Sequence, residues 1–68
     1  MIDVNELKGI IAKRNYSKRQ VALAIGIQPE TFYRKLKRGV FNSDEMEKMI
    51  DLLKIDDPAS VFFARKVT

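Results

Sequence analysis

Apolar residues recur along most of the chain at intervals of three and four positions, the spacing of one face of an α-helix. The clearest run is Met46, Met49, Ile50 and Leu53. Shorter stripes of the same kind come earlier, at Leu7, Ile10 and Ile11, at Val21, Ala22 and Ile25, and at Phe32 and Leu36. The periodicity predicts helices at about 4–14, 18–25, 29–38 and 43–53, and a short fifth helix starting at Pro58. The chain is therefore predicted to be an all-α domain with short connections.

Helix-start signals precede the predicted helices. In a capping box, the polar side chain of the N-cap residue accepts a hydrogen bond from the backbone N–H three residues later. The Glu or Gln side chain at that later position accepts one from the backbone N–H of the N-cap residue. Such pairs occur at Asp3 and Glu6, at Ser17 and Gln20, and at Asn42 and Glu45. The third helix has a weaker start, with Gln28 at the cap and Pro29 at the first helical position. Asp57 is the expected cap of the fifth helix.

The stretch "LAIGIQPETF" predicts a tight turn between the second and third helices. Gly26 can adopt the left-handed conformation that ends many helices, and Pro29 loses no hydrogen bond in a first turn. Ala22 is small where the two helix backbones would approach each other. Helix, glycine turn and helix is the layout of a helix-turn-helix, which presents its second helix to the DNA major groove.

The predicted third helix has two different faces. At about 100° per residue, Phe32 and Leu36 share one side, which is expected to face the core. The opposite arc is polar and basic and holds Glu30, Arg34 and Lys37, with Thr31, Tyr33 and Arg38 at its margins. Arg can read guanine, Gln can read adenine and Glu can accept a hydrogen bond from cytosine, so this arc suits contact with bases and phosphates.

Two apolar residues do not belong to the predicted core stripes. Leu23 lies on the opposite side of its helix from Val21 and Ile25, and is either a single exposed residue or part of a protein contact. Phe62 and Phe63 are adjacent, so both cannot fill one core position of a helix. Phe62 is predicted to close the core, and Phe63 is left either exposed or in contact with a partner.

Positive charge is concentrated in the middle of the chain. The net charge is +4, but residues 13–38 alone carry +7, residues 1–12 carry −1 and residues 39–68 carry −2. The cations of the middle segment are Lys13, Arg14, Lys18, Arg19, Arg34, Lys35, Lys37 and Arg38. Such clustering suits a polyanionic partner, although a solvated basic surface would give the same composition.

The sequence offers little for catalysis. It has no Cys and no His, which removes thiolate chemistry, Cys-based zinc sites and the commonest general base and metal ligand. The acids Asp44, Glu45, Glu47 and Asp51 are predicted to form the start and outer face of the fourth helix, with no glycine-rich loop nearby. We expect no enzymatic activity, no cofactor and no metal site.

The chain has 68 residues, which allows one domain, here expected to span residues 1–68. No apolar run approaches the ~20 residues that span a bilayer, and "MIDVNELKG" lacks the layout of a signal peptide. We therefore expect a cytoplasmic protein with no membrane partner, and the predicted helix-turn-helix would associate it with the nucleoid. The initial Met and the short ending favour a complete protein over an excised domain.

The segment "SKRQVALAIGIQPETFYRKLKRG" resembles the helix-turn-helix of Cro/repressor-type (XRE-like) DNA-binding proteins, especially short phage and prophage forms. The likeness extends over nearly the whole chain, from "NELKGIIAKRNY" to "FNSDEMEKMIDLLKIDDPASVFFA". It implies a compact lambda-repressor-like domain of four to five helices, with the helix-turn-helix at about 18–38 and a frayed tail at 64–68.

Carried over by position, the resemblance implies that five residues face the bases or the nearby backbone: Gln28, Glu30, Thr31, Tyr33 and Arg34. It also implies that Lys18 meets a phosphate, and the charge pattern adds Lys37 and Arg38 to the candidate DNA-binding residues. Each has a plainer interpretation. Gln28 can serve only as a helix cap, Glu30 can serve only to favour the helix start, Tyr33 can pack on the surface, and the cations can be solvated charges.

Two functions of different class follow. The favoured hypothesis is a sequence-specific, double-stranded DNA-binding regulator of transcription, acting at an operator as a homodimer. The alternative is a modulator that binds a neighbouring repressor protein through Leu23 or Phe63 and has little DNA affinity of its own.

Overall fold

A computed structural model of the chain describes residues 2–63, which form five α-helices with no strand among them. The helices are α1 (Val4–Lys13), α2 (Lys18–Ala24), α3 (Pro29–Arg38), α4 (Ser43–Leu53) and α5 (Pro58–Phe62). The Cα radius of gyration is 11.1 Å, close to the ~11 Å expected for a folded chain of this length. The predicted all-α class is confirmed, and α1 and α2 each end one residue before the predicted boundary. The predicted fraying of residues 64–68 lies outside the described residues.

One hydrophobic core joins the five helices. Its buried members are Ile2, Leu7, Ile11, Val21, Ala22, Ile25, Phe32, Leu36, Phe41, Met49, Leu53, Ile55, Val61 and Phe62. Phe62 is 2% exposed and Phe63 is 62% exposed, so the prediction that Phe62 closes the core is confirmed. Burial of each large side chain in this core stabilises the folded state by roughly 1.5–3 kcal/mol. Because so small a domain is only marginally stable, the loss of a few of these contacts would unfold it.

Two of the predicted capping boxes form in full. The side chains of Ser17 and Gln20 exchange backbone hydrogen bonds at the start of α2, and those of Asn42 and Glu45 do so at the start of α4. At α1 only half of the predicted box forms. Asp3 accepts a hydrogen bond from the Glu6 backbone N–H, but its own N–H donates to the Val61 carbonyl at 2.7 Å and is not available to the Glu6 side chain.

Gln28 and Asp57 occupy the N-cap positions of α3 and α5, as predicted. Neither side chain accepts a helix hydrogen bond. Pro29 and Pro58 start these two helices, and a proline at the first helical position has no N–H to be satisfied. The carboxamide of Gln28 is therefore not used by the fold at the start of α3.

The end of α2 is a Schellman motif centred on Gly26. This glycine has φ +83°, the Ile27 N–H donates to the Ala22 carbonyl at 3.0 Å, and the Gly26 N–H donates to the Leu23 carbonyl at 3.2 Å. The motif reverses the chain and turns the partly buried Ile27 back onto the core. The predicted role of Gly26 is confirmed, and the turn sets how α3 leaves α2.

We expect Gly26→Ala to lower the free energy of unfolding by about 1–2 kcal/mol, because an L-residue is strained in the left-handed region. Gly9→Ala is a matched control. A Cβ added at either glycine meets nothing within 4 Å, but Gly9 lies inside α1 and its φ is not positive. The control should raise stability by about 0.5–1 kcal/mol. Urea unfolding followed by circular dichroism measures both changes, and equal effects of the two variants would contradict the strain argument.

Arg14 ties the end of α1 to the end of α4. Its Nε donates to the Leu53 carbonyl at 2.8 Å and its Nη2 donates to the Lys54 carbonyl at 3.1 Å. Lys54 has φ +50°, a backbone conformation that is uncommon and unfavourable outside glycine. The two hydrogen bonds from Arg14 therefore help to stabilise the C-terminal end of α4 in this conformation. Although Arg14 was counted in the basic middle segment, it serves the fold.

Candidate nucleic-acid interface

Helix α3 separates a buried side from an exposed side along its whole length. Phe32 is 0% exposed and Leu36 is 3% exposed, as the periodicity predicted. The ring of Phe32 lies 5.5 Å, centroid to centroid, from the ring of Phe41. The residues predicted to face outward are exposed, apart from the half-buried Thr31: they are Glu30, Tyr33, Arg34, Lys37 and Arg38. The core contacts of α3 thus hold its polar and basic side toward solvent.

Four of the predicted base-facing residues lie together. Gln28, Glu30, Thr31 and Arg34 line one shallow groove between α2 and the start of α3. The same groove is lined by Arg19, Leu23 and Pro29. We call these residues the α2–α3 groove. It places amide, carboxylate, hydroxyl and guanidinium groups side by side, which is the set of side chains that can hydrogen-bond base edges.

The other predicted residues line two further depressions beside α3. Lys18, Tyr33 and Lys37 come together with Lys8 and Leu36, and we call this set the lysine depression. Arg38 lines the other depression with Thr31, Arg34, Lys35, Val40, Phe41 and Asn42. All eight predicted site residues therefore lie in surface depressions that border α3.

Lys35 differs from the other cations of α3 because it is paired within the fold. Its Nζ lies 2.6 Å from Oε2 of Glu45, whose side chain is 7% exposed. The other oxygen of this carboxylate, Oε1, accepts a hydrogen bond from the Asn42 N–H at 3.0 Å. Glu45 lies at the start of α4 and completes the predicted capping box, but it does not share the outer face expected for the acids of this helix, since its carboxylate lies inward against Lys35 of α3. One positive charge of α3 is neutralised as a result.

The remaining cations of α3 are not neutralised in this way. Besides the Lys35 pair, the described residues contain one ion pair, between Lys48 and Asp44 at 3.2 Å on α4. Arg34, Lys37 and Arg38 therefore present their charge to solvent, with Lys18 at the start of α2. Glu30 is the single acid on α3. The exposed side of α3 is strongly electropositive, as suits a polyanion.

Two exposed cations of these depressions were not predicted as site residues. Arg19 lines the α2–α3 groove, and its place in the basic middle segment was a signal that could have identified it. Lys8 lies on α1, outside that segment, and only the packing of α1 against the other helices brings it beside Tyr33 and Lys37. No pattern in the sequence marks Lys8.

Exposed apolar side chains occur at several places around this surface. Leu23 is 57% exposed and Val40 is 63% exposed. The exposure of Leu23 agrees with its position opposite the core stripe of α2. Leu23 lines the α2–α3 groove together with the cationic Arg19 and Arg34.

The described residues 2–63 lack two other kinds of feature. They contain no group of three or more acidic side chains that could hold a metal ion. No helix in this part of the chain has the length and apolar character needed to cross a bilayer. Compared with protein-family models, with curated proteins and with solved structures, the chain matches none.

Proposed function

We propose that this chain is a sequence-specific, double-stranded DNA-binding regulator of transcription, of the Cro/repressor-type class and without catalytic activity. In this proposal α2, the Gly26 turn and α3 form the helix-turn-helix, and the exposed side of α3 enters the major groove. The observation that carries the proposal is the division of α3 into a core side and an unneutralised basic side bordered by hydrogen-bonding groups. A surface that is merely solvated gives no reason for cationic side chains and hydrogen-bonding side chains to lie together on one helix.

Affinity and specificity have different sources in this proposal. Lys18, Lys37 and Arg38 contact phosphates, which positions the protein and makes binding depend on salt. The α2–α3 groove reads the bases, where Arg34 pairs with guanine and Gln28 pairs with adenine. The free carboxamide of Gln28 supports this role, because the fold does not use it as a helix cap. Glu30 accepts from cytosine or excludes phosphates from its part of the groove.

The protein acts as a homodimer in this proposal, on a two-fold related operator with half-sites about one helical turn apart. A single domain of this size presents one α3 helix and reads few base pairs. A second copy doubles the contacts, and the symmetry of the dimer imposes a palindromic site.

A salt series tests the proposal directly. Binding of a random-sequence duplex should weaken steeply with salt, with a slope of log affinity against log salt of about −0.9 for each phosphate contacted. Selection of bound duplexes from a random pool should then yield one motif, palindromic if the dimer is correct. Absence of duplex binding at low salt would refute the proposal.

Arg34→Ala should weaken binding to the selected site by about 1–3 kcal/mol and relax the sequence preference at one base pair, if Arg34 makes a bidentate base contact. Lys48→Ala is the control, because Lys48 pairs with Asp44 on α4, outside the three depressions. Competition between the selected duplex and random duplex measures both effects. Equal losses on the two duplexes would assign Arg34 to a phosphate and not to a base.

The alternative function is a protein-binding modulator of a neighbouring repressor. The exposure of Leu23 and Phe63, at 57% and 62%, favours a protein contact at one of these residues. Under this alternative the protein shows no salt-dependent duplex binding, and it co-purifies with a repressor encoded beside it. Leu23→Ser or Phe63→Ser would abolish that complex.

A further inference from the structure

Three lysines from three different helices meet beside the exposed side of α3. The lysine depression is lined by Lys8 of α1, Lys18 of α2 and Lys37 of α3, together with Tyr33 and Leu36. These lysines are separated by 10 and 19 positions in the sequence, so no local charge run explains their meeting. The fold brings them together by the packing of α1 and α2 around α3.

The charge of this depression is not compensated within it. No acidic side chain of the described residues lines it, and neither ion pair of the described chain involves its lysines. Like charges gathered on one surface repel each other, and this repulsion opposes folding unless an anion relieves it. Lys35, on the other side of α3, shows the contrasting arrangement, because the fold supplies Glu45 as its partner.

Tyr33 adds a neutral hydrogen-bond donor to the same depression. Its ring packs edge-on against Phe32, with centroids 6.4 Å apart, and the residue remains 45% exposed. The core therefore restrains the ring while the phenol O–H remains available at the surface. The buried Leu36 also lines the depression. Three ammonium groups and one hydroxyl group match an anion with several oxygen acceptors.

We infer that the lysine depression binds one phosphate of the DNA backbone and that Lys8 of α1 is a DNA contact outside the helix-turn-helix. This inference rests on the proposed DNA-binding function and specifies one part of that site. The depression lies on the opposite edge of α3 from Lys35 and next to the residues that read bases. A phosphate held there fixes the depth and the angle of α3 in the major groove.

The first test compares Lys8→Ala with Lys13→Ala in binding to a random-sequence duplex over a range of salt. Both lysines are exposed residues of α1, but Lys13 lies in a different depression, with Glu6 and Asp57. Lys8→Ala should reduce the salt slope by about 0.9, the value for one phosphate contact. Its loss of affinity at about 50 mM salt should then exceed its loss at about 200 mM by about 3.5-fold. Lys13→Ala should retain the wild-type slope, and Lys8→Arg should restore it.

Failure of this inference is distinguishable from failure of the proposed function. If wild-type protein binds duplex steeply with salt and Lys8→Ala behaves as Lys13→Ala does, the phosphate site is wrong and the DNA-binding proposal stands. If wild-type protein shows no salt-dependent binding, both are wrong. Circular dichroism of each variant confirms that it is folded.

A second test locates the phosphate. In the selected duplex, single phosphates are replaced in turn by neutral methylphosphonates, and affinity is measured for wild type, Lys8→Ala and Tyr33→Phe. At one position the neutral replacement should weaken wild-type binding more than it weakens Lys8→Ala, which keeps Lys18 and Lys37 but has lost one of the three ammonium groups. Tyr33→Phe keeps the ring and should reduce the effect at that same position. A set of positions that affects wild type and Lys8→Ala alike would overturn the inference.

Discussion

Phe32→Ala is expected to remove most of the stability of the domain. Phe32 is 0% exposed and is among the largest fully buried side chains, and its ring packs at a tilt against that of Phe41. Truncating such a residue costs about 3–5 kcal/mol. The free energy of unfolding of a domain of this length is only about 3–10 kcal/mol in total. Urea unfolding followed by circular dichroism should give a much lower midpoint, or no folded baseline at all.

Tyr33→Ala is the matched control, because it truncates an aromatic ring at the next position of the same helix. Tyr33 is 45% exposed, so we expect a loss of less than about 1.5 kcal/mol. The two variants should also differ in how they affect duplex binding. Tyr33→Ala should weaken binding while it remains folded, whereas Phe32→Ala should lose the fold. Similar losses of stability would mean that α3 does not divide into a core side and an exposed side. Phe32→Leu keeps most of the buried volume and should fall between the two.

The sides of α3 could be predicted from sequence because they depend on helix geometry alone. Once residues 29–38 are helical, the period of about 3.6 residues places Phe32 and Leu36 on one side and Arg34 and Lys37 on the other. The helix starts were also predictable, since Pro29 and the Ser17 capping box act on neighbouring residues. Local rules sufficed for the sides of α3 and for these two helix starts, but not for the Asp3–Glu6 box, where the Asp3 N–H donates to the distant Val61 carbonyl.

Features that depend on how helices pack were not predicted. Glu45 was grouped with the acids at the start and outer face of α4, because its capping role is visible in the sequence but its approach to Lys35 of α3 is not. Arg14 was counted among the cations of the middle segment, and its bonds to carbonyls 39 and 40 positions away are not visible in the sequence. Both residues have a partner that is distant in the sequence. Among residues 2–63, only the Lys35–Glu45 pair neutralises a cation of the middle segment, since Arg14 bonds uncharged carbonyls and remains exposed.

The same limit applies to the candidate site. Gln28, Thr31 and Arg34 could be assigned to one surface because they belong to one turn and one helix. The residues of α2 that line the same groove, and the proximity of Lys8 to Lys37, could be found only from the positions of α1 and α2 relative to α3. The sequence therefore predicted which residues of α3 face outward, while the structure shows which residues of other helices join them.

Lys35→Met is expected to lower the free energy of unfolding by about 2–3 kcal/mol, although it replaces one charged residue of a strongly basic chain. Methionine keeps the apolar stem and removes the ammonium group. The Oε2 of Glu45 then loses its 2.6 Å partner in an environment where the side chain is 7% exposed. The Asn42 N–H satisfies only the other oxygen. A largely buried carboxylate with one oxygen unsatisfied is costly, and this cost outweighs the relief of repulsion among the cations of α3.

Lys37→Met makes the same chemical change on the same helix, at an exposed residue, and should alter stability by no more than about 0.5 kcal/mol. Glu45→Gln should cost less than Lys35→Met, because the amide oxygen still caps Asn42 and the Lys35 side chain, 31% exposed, can be hydrated. The double variant should then lose less than the sum of the two single losses, by about 1–2 kcal/mol of coupling. Additive losses would mean that the pair contributes no coupling free energy and that the core side chains position α3 without it. Strong coupling would make Glu45 a residue that positions α3, and its loss should weaken duplex binding without any change at the exposed side of that helix.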